Sequence, residues 1–198
     1  MVGTVTSAEG VVRPKRAASL PPDERRSMII AATLPLLVEH GEMVTTHDIA
    51  EAAGIAEGTI FRVFANKDAL IEAVIDHALD VSSVERAIAA IDAGLPLEEA
   101  VTQVVAVLQR RVVDIWRLMS SVGTRFQEHA RRPTTDSEAL VGLFEAHRPE
   151  LTIEPSQAAR SLRSVTLAMT HPMMVAESVG AADVARQFLY GVAGAAPC

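Results

Sequence analysis

The stretch AGIAEGTIFRVFANKDAL, residues 53–70, decides how the rest of the chain is read. Gly54 and Gly58 stand four residues apart, Phe61 and Phe64 three apart, and Lys67 follows Asn66. Just upstream, Thr45 and Asp48 have the spacing of a capping box. Ile49, Ala50 and Ala53 then supply an apolar stripe that stops at Gly54, which predicts a helix of about two turns. A second short helix is expected from about Glu57 to Phe64. Asn66 is a good N-cap for a third, running through Leu70, Val74 and His77 toward Asp92.

Two short helices joined by a tight glycine turn make a helix-turn-helix, whose second helix can enter a major groove. That geometry requires small or apolar residues where the helices meet. Ile49, Ala50, Ala53, Ile55, Ile60 and Val63 all satisfy it. The positions left facing outward are Ala56, Glu57, Gly58, Thr59, Phe61 and Arg62. Small residues at a helix start let the backbone approach a surface, and the free N–H groups there favour phosphate.

Outward from this motif, residues 1–22 mix Gly, Ser, Thr and Ala with Arg13, Lys15 and Arg16 and lack hydrophobic periodicity, so a flexible basic arm is expected. From Asp23, the residues Ile29, Thr33, Leu36 and Leu37 fall on one helical face that ends at Gly41, and Pro35 should bend or locally break that helix. Beyond Gly94-Leu95-Pro96 the texture changes to long apolar-periodic helices, at about 97–111, 113–130, 136–148, 155–177 and 181–193. No strand-like alternation or internal repeat occurs. The reading is all-α with about nine helices, in three parts: the arm 1–22, a helix-turn-helix DNA-binding unit 23–70, and a larger helical unit 71–198.

Composition narrows the function. With 198 residues and 49% hydrophobic content the chain can bury its own core, and a formal net charge of −7 excludes a polycation that holds nucleic acid by charge alone. Residues 1–70 carry seven basic and nine acidic side chains, a balance of −2, so cations must gather on one face. The segment 11–26, with five basic and two acidic residues, is the place for it: an arm that follows the DNA backbone, or else an unused solvated tail. The only cysteine, Cys198, allows no intramolecular disulfide and no cysteine-based zinc cluster. No apolar run reaches the roughly 18 residues of a membrane span, and the N-terminal charge order is unlike a signal peptide. A cytoplasmic protein is expected. No phosphate-binding loop, zinc-protease or serine-hydrolase string is present, and the six histidines show no metal-ligand pairing. No catalytic residue, cofactor or metal site is read.

From about Arg25 to Leu70 the chain resembles the DNA-binding region of the tetracycline-repressor (TetR) family of bacterial transcriptional regulators. The matching strings are IIAATLPLLVEHG (29–41), VTTHDIAEAAGIAEGTIFRVFANKDAL (44–70) and, more weakly, ARQFLYGVAG (185–194). The resemblance implies a homodimer in which two helix-turn-helix heads bind a near-palindromic double-stranded operator. A divergent helical domain would bind a small-molecule inducer and dimerise through the last two helices. It assigns Thr45 and Thr46 to phosphate contact and Ala56, Glu57, Gly58, Thr59 and Arg62 to the recognition helix, with Lys67 a phosphate anchor at the next helix start. His47 in the first turn is either a further phosphate contact or a solvated residue. Three departures stand out: Phe61 where the family has tyrosine, Val63 where histidine is common, and Pro35 at an ordinary helix position.

In the larger unit, Trp116, Met119, Gly123 and Phe126 share one helical face, while Met169 and Met173 flank His171-Pro172. These seven residues other than Pro172 are read as candidate lining for a largely apolar inducer, with plain core as the alternative. Ala181, Ala185, Phe188, Leu189 and Val192 form an apolar face edged with small residues, a candidate dimer surface that can also serve as core. The function expected is a ligand-responsive transcriptional repressor. The alternatives are a ligand- or protein-binding module of the same fold without operator binding, and an all-α enzyme with scattered catalytic residues.

Overall fold

The computed structural model describes residues 21–123, 125, 136–177 and 179–191. The arm readings on residues 1–20, with Phe126 and Val192, lie outside them. Nine α-helices occur among the described residues: α1 (Pro22–His40), α2 (Thr46–Ala53), α3 (Glu57–Val63), α4 (Lys67–Leu79), α5 (Ser82–Ala89), α6 (Leu97–Val122), α7 (Glu138–Ala146), α8 (Pro155–Thr170) and α9 (Ala181–Tyr190). Among these residues there is no strand.

Local sequence accounts for the punctuation of α2–α4. The Thr45 hydroxyl accepts from the Asp48 amide at 3.2 Å and the Asp48 carboxylate accepts from the Thr45 amide at 2.9 Å, a reciprocal box that starts α2. Gly54 ends it in the left-handed conformation (φ 64°, ψ 34°); its amide reaches the Glu51 carbonyl and the Ile55 amide reaches Ala50 at 3.0 Å. Only a residue without a Cβ adopts that conformation cheaply, so the sharp turn into α3 follows from Gly54. Asn66 caps α4 by accepting from the Ala69 amide at 2.8 Å.

Two apolar clusters organise the chain. In the first, Ile29, Leu37, Ile49, Ile60, Leu70, Val74 and Ile75 are fully buried, with Leu118 and Val122 from the end of α6 among them. We call α1–α4 the head. In the second, Ile88 of α5 and Val101, Val104 and Val105 of α6 meet Leu140 and Phe144 of α7, Leu162 of α8, and Val184 and Ala185 of α9. Helix α6 is common to both clusters.

Four helix boundaries differ from the sequence reading, each for a local reason. Helix α1 runs through Pro35 without interruption. Pro35 and Ala31, whose carbonyl loses its usual partner, are both exposed, so water can take that carbonyl, while buried Thr33 donates to the Ile29 carbonyl at 2.7 Å. The helix starting at Lys67 stops at Leu79 rather than near Asp92. There the Asp80 carboxylate accepts from both the amide and the hydroxyl of Ser82, which competes with the helical ladder and starts α5 separately. The expected helices 97–111 and 113–130 are joined in one 26-residue helix that ends at Gly123, φ 55°. The helix expected to reach 177 ends at Thr170, because Pro172 disfavours helical backbone at His171.

Candidate nucleic-acid interface

The helix-turn-helix presents one buried and one open side. Ile49, Ala50 and Ile60 are buried between the helices, Ile55 and Val63 pack against them, and Phe64 closes the core behind α3. The Arg26 guanidinium lies 4.5 Å over the Phe64 ring, which uses one of the head's few cations to cover that core from α1. On the open side Ala56, Glu57, Gly58, Phe61 and Arg62 are exposed and Thr59 is half-buried. Phe61 keeps half of its surface in solvent, which is unusual for an aromatic side chain on a seven-residue helix. Ala56 offers no side-chain cap to α3. A Cβ at Gly58 would meet nothing within 4 Å, so the absence of a side chain there serves open space rather than packing within the chain.

The flank of the motif is polar and already bonded. Thr45 and His47 are exposed, and Thr46 is half-buried with its hydroxyl donating to Oε1 of Glu57, which ties the first residue of α2 to the first residue of α3. The Asp48 carboxyl is held below its ordinary value of 3.8, first by the Thr45 hydroxyl and then by the Thr45 amide. Lys67 is half-buried, and its Nζ donates to the Glu42 carbonyl at 2.6 Å, at a 3-10 turn (Gly41–Met43) after α1. Arg125 comes from beyond α6 to bridge Glu42 at 3.1 Å and Asp68 at 2.8 Å. The hydrogen bond to Asp68 raises the Arg125 pKa above its ordinary value.

Sequence reasoning missed Glu42, Asp68 and Arg125 as neighbours of Lys67. No local pattern signals this: Arg125 is far from Asp68 along the chain, and only the return of α6 to the head brings them together. The pairing of Thr46 with Glu57 was equally hidden, although both had been singled out for DNA.

A profile described as "Bacterial regulatory proteins, tetR family" matches residues 29–74. Residues 29–74, which hold the helix-turn-helix, are similar to the head of that family. The uncharacterized HTH-type transcriptional regulator YvkB of Bacillus subtilis (strain 168) is 48% identical over 50 residues, which is 25% of this chain and 26% of that protein. The chain therefore matches this curated relative over about a quarter of the relative's length. Likeness of fold extends further. A candidate TetR-family transcriptional regulator from Mesorhizobium loti MAFF303099 superposes with a TM-score of 0.62 at 15% identity, covering 87% of this chain and 95% of that one. The TetR-like transcriptional regulator LfrR from Mycobacterium smegmatis, solved in complex with proflavine, gives 0.54 at 20% identity, with 87% and 99% covered. Beyond residues 29–74, then, the likeness is one of fold: the helical body has the architecture of these solved structures.

The remaining predicted positions are dispersed. Trp116 meets His171 edge-on, with ring centroids 4.6 Å apart. Met119 packs on the head cluster, Met169 on the body cluster, and Gly123 and Met173 are exposed. A cleft of about 420 Å³ is bordered by Pro96, Leu97, Glu98, Glu150, Leu189 and Tyr190, and one of about 200 Å³ lies between α5 and α7 around Ile88, Ala139 and Leu143. Of the candidate lining residues, the six that are described border neither cleft. Of the candidate dimer residues, Ala185 is fully buried in the body cluster, while Ala181, Phe188 and Leu189 are half-buried and pack on it, with Phe188 6.1 Å from Phe144. The neighbouring α8 leaves Leu167 and Ala168 in solvent. Among the described residues no three His, Cys, Asp or Glu side chains gather as metal ligands would, and no helix is long and apolar enough to cross a membrane.

Proposed function

We propose that the protein is a ligand-responsive transcriptional regulator of the cytoplasm, a repressor that binds a near-palindromic operator as a homodimer and is released by a small molecule. One observation carries the reading: a tetR-family head whose second motif helix keeps Ala56, Glu57, Gly58, Phe61 and Arg62 in solvent beside a buried Ile60. Residues 23–70 are the DNA-binding unit and 71–198 bind the ligand and dimerise. In the dimer the two recognition helices stand about 34 Å apart, one DNA turn, to reach successive major grooves. The proflavine held by the Mycobacterium smegmatis relative supports a small-molecule role for the helical body. The apolar surroundings of Trp116, Met119 and Met169 favour a largely apolar ligand. Dimerisation falls on the outer face of α8 and α9, where Leu167 is exposed, since Ala185 is already committed to the core of its own chain.

The test is a footprint of the purified chain on the DNA flanking its own gene, followed by binding at several salt concentrations. A protected near-palindrome with affinity that falls steeply as salt rises is expected. Absence of any protected site would favour a binding module of this fold that does not act on an operator.

A further inference from the structure

We propose that Glu57 is an internal competitor for the DNA backbone at Thr46, and that it sets how weakly the head holds DNA lacking the preferred sequence. The proposal rests on the reading of the head as a DNA-binding unit.

The Thr46 hydroxyl, one of the donors that reading directs at a backbone phosphate, instead donates its hydrogen bond to the Glu57 carboxylate. Glu57 is exposed at the first position of α3, so its charge stands beside the hydroxyl that a phosphate oxygen would need. The second anchor is engaged differently. Lys67 Nζ is bonded to a neutral carbonyl, that of Glu42, and the carboxylates on either side, Glu42 and Asp68, are paired with Arg125. A phosphate reaching Lys67 therefore replaces a neutral partner next to charges that are already matched. A phosphate reaching Thr46 must displace an anion of its own sign, and the two repel at contact distance.

The contact opens by rotation of the Glu57 side chain, and what Glu57 meets next decides the outcome. In a major groove a carboxylate is satisfied by an exocyclic amino donor such as cytosine N4, whereas guanine N7 and O6 and thymine O4 are acceptors that offer it nothing. On a sequence with a suitably placed amino group, Glu57 leaves Thr46 for the base, and the freed hydroxyl takes the phosphate. On other sequences Glu57 stays on Thr46 and holds the backbone off. A phosphate contact carries no sequence information by itself. Coupled to Glu57 in this way it becomes conditional on the base, and Glu57 acts as a specificity-determining residue.

The experiment measures fluorescence anisotropy of the full chain and of Glu57→Gln and Glu57→Ala on two duplexes of equal length, the footprinted sequence and a scrambled one, over a salt series. Circular dichroism checks that each variant is folded. Glu57→Gln keeps the shape and removes the charge. It is expected to tighten binding to the scrambled duplex about three- to fivefold and to lower the ratio of footprinted to scrambled affinity. In a Thr46→Val background the tightening should shrink, because no hydroxyl is left for the phosphate to take. Scrambled-duplex binding that is unchanged or weaker in both Glu57 variants would overturn the proposal, as would equal tightening without the Thr46 hydroxyl. If the unaltered protein and both Glu57 variants bind neither duplex, the DNA-binding reading itself fails and the competition falls with it. A Glu57 variant that gains salt-dependent binding where the unaltered protein shows none upholds both.

Discussion

Gly41→Ala tests the joint between the head and α6 more sharply than any core truncation. Gly41 caps α1 at φ 58°, ψ −146°, a backbone region that is essentially restricted to glycine. A Cβ built there would lie 2.8 Å from the carbonyl oxygen of Ser121, closer than real Cβ contacts come. The obstructing atom is backbone near the end of α6, so no side-chain rotation relieves it. Ser121 also holds the spot from the other side, its hydroxyl donating to the Val38 carbonyl at 2.8 Å. The backbone conformation alone costs about 1–3 kcal/mol, and adding the forced separation of α6 from α1 brings the expected loss to about 2–4 kcal/mol. Gly54→Ala is the control: it also sits at positive φ, 64°, but its Cβ would meet nothing within 4 Å, so only the left-handed penalty of about 1–2 kcal/mol applies. Urea unfolding followed through the only tryptophan, Trp116 on α6, and in parallel by circular dichroism would measure both. With a slope of about 2 kcal/mol/M, Gly41→Ala should lower the midpoint by about 1–2 M, roughly twice the shift of Gly54→Ala. Equal shifts in the two variants would refute the claim that the α1–α6 approach is tight enough to matter.

Three further outcomes are expected. Lys67→Ala should weaken binding to all duplexes alike and reduce the salt slope by about one, whereas Arg62→Ala should cost about 1–3 kcal/mol and relax preference at a single base pair; footprint competition with single-base operator variants separates the two. The Asp48 carboxyl is depressed below 3.8 in the folded chain, so its contribution to stability is complete above about pH 4 and is lost as pH falls through the lower folded value. Thr45→Ala removes the hydroxyl that is the largest cause of the depression, and the acid decline in urea midpoint should become shallower; an unchanged pH profile would contradict the assignment. Leu167→Asp places a charge on a side chain that is 48% exposed in the single chain, so helix content should be retained while light scattering shows the proposed dimer dissociating. A persistent dimer would move the interface elsewhere.

What was legible in the sequence follows the range of the interactions. The α2 box, the Gly54 turn and the Asn66 cap each use residues within five positions of one another, and their spacing predicted them. The inward set of the motif was legible because the packing of two short helices permits few residue types. Helix length was less so. The stop at Leu79 depends on which of two competing arrangements Ser82 completes with Asp80, and an apolar pattern that continues past residue 80 masks it. The uninterrupted α1 shows the converse: Pro35 reads as a break, yet its exposed position makes the lost hydrogen bond inexpensive. At the site, the identities of the exposed residues were readable and their partners were not. Thr46 with Glu57, Lys67 with Glu42, and Arg125 with Asp68 are fixed by tertiary placement.

The separation of α4 from α5 changes where a signal can travel. A continuous helix from Lys67 to Asp92 would have joined head and body as a lever, but α4 ends at Leu79, inside the head cluster. Helix α6 makes the connection instead: Val101, Val104 and Val105 are buried in the body, and Leu118 and Val122 in the head, along a helix about 39 Å long. A packed helix moves as a unit, because sliding it in one core opens voids in the other. Near its head end α6 meets Gly41 through Ser121, and just beyond, Arg125 reaches Glu42 and Asp68 beside Lys67. A ligand that binds two positions of α6 unequally would therefore bias the proposed phosphate contact at Lys67 directly, and only by the difference in its affinity for those two positions. On this argument Arg125→Ala should leave unaltered DNA affinity close to normal at high salt, where Glu42 and Asp68 are screened, and lower it at low salt, where two uncompensated carboxylates flank the phosphate anchor. A loss that is the same at every salt concentration would mean that Arg125 acts by holding the joint together rather than by neutralising its charge.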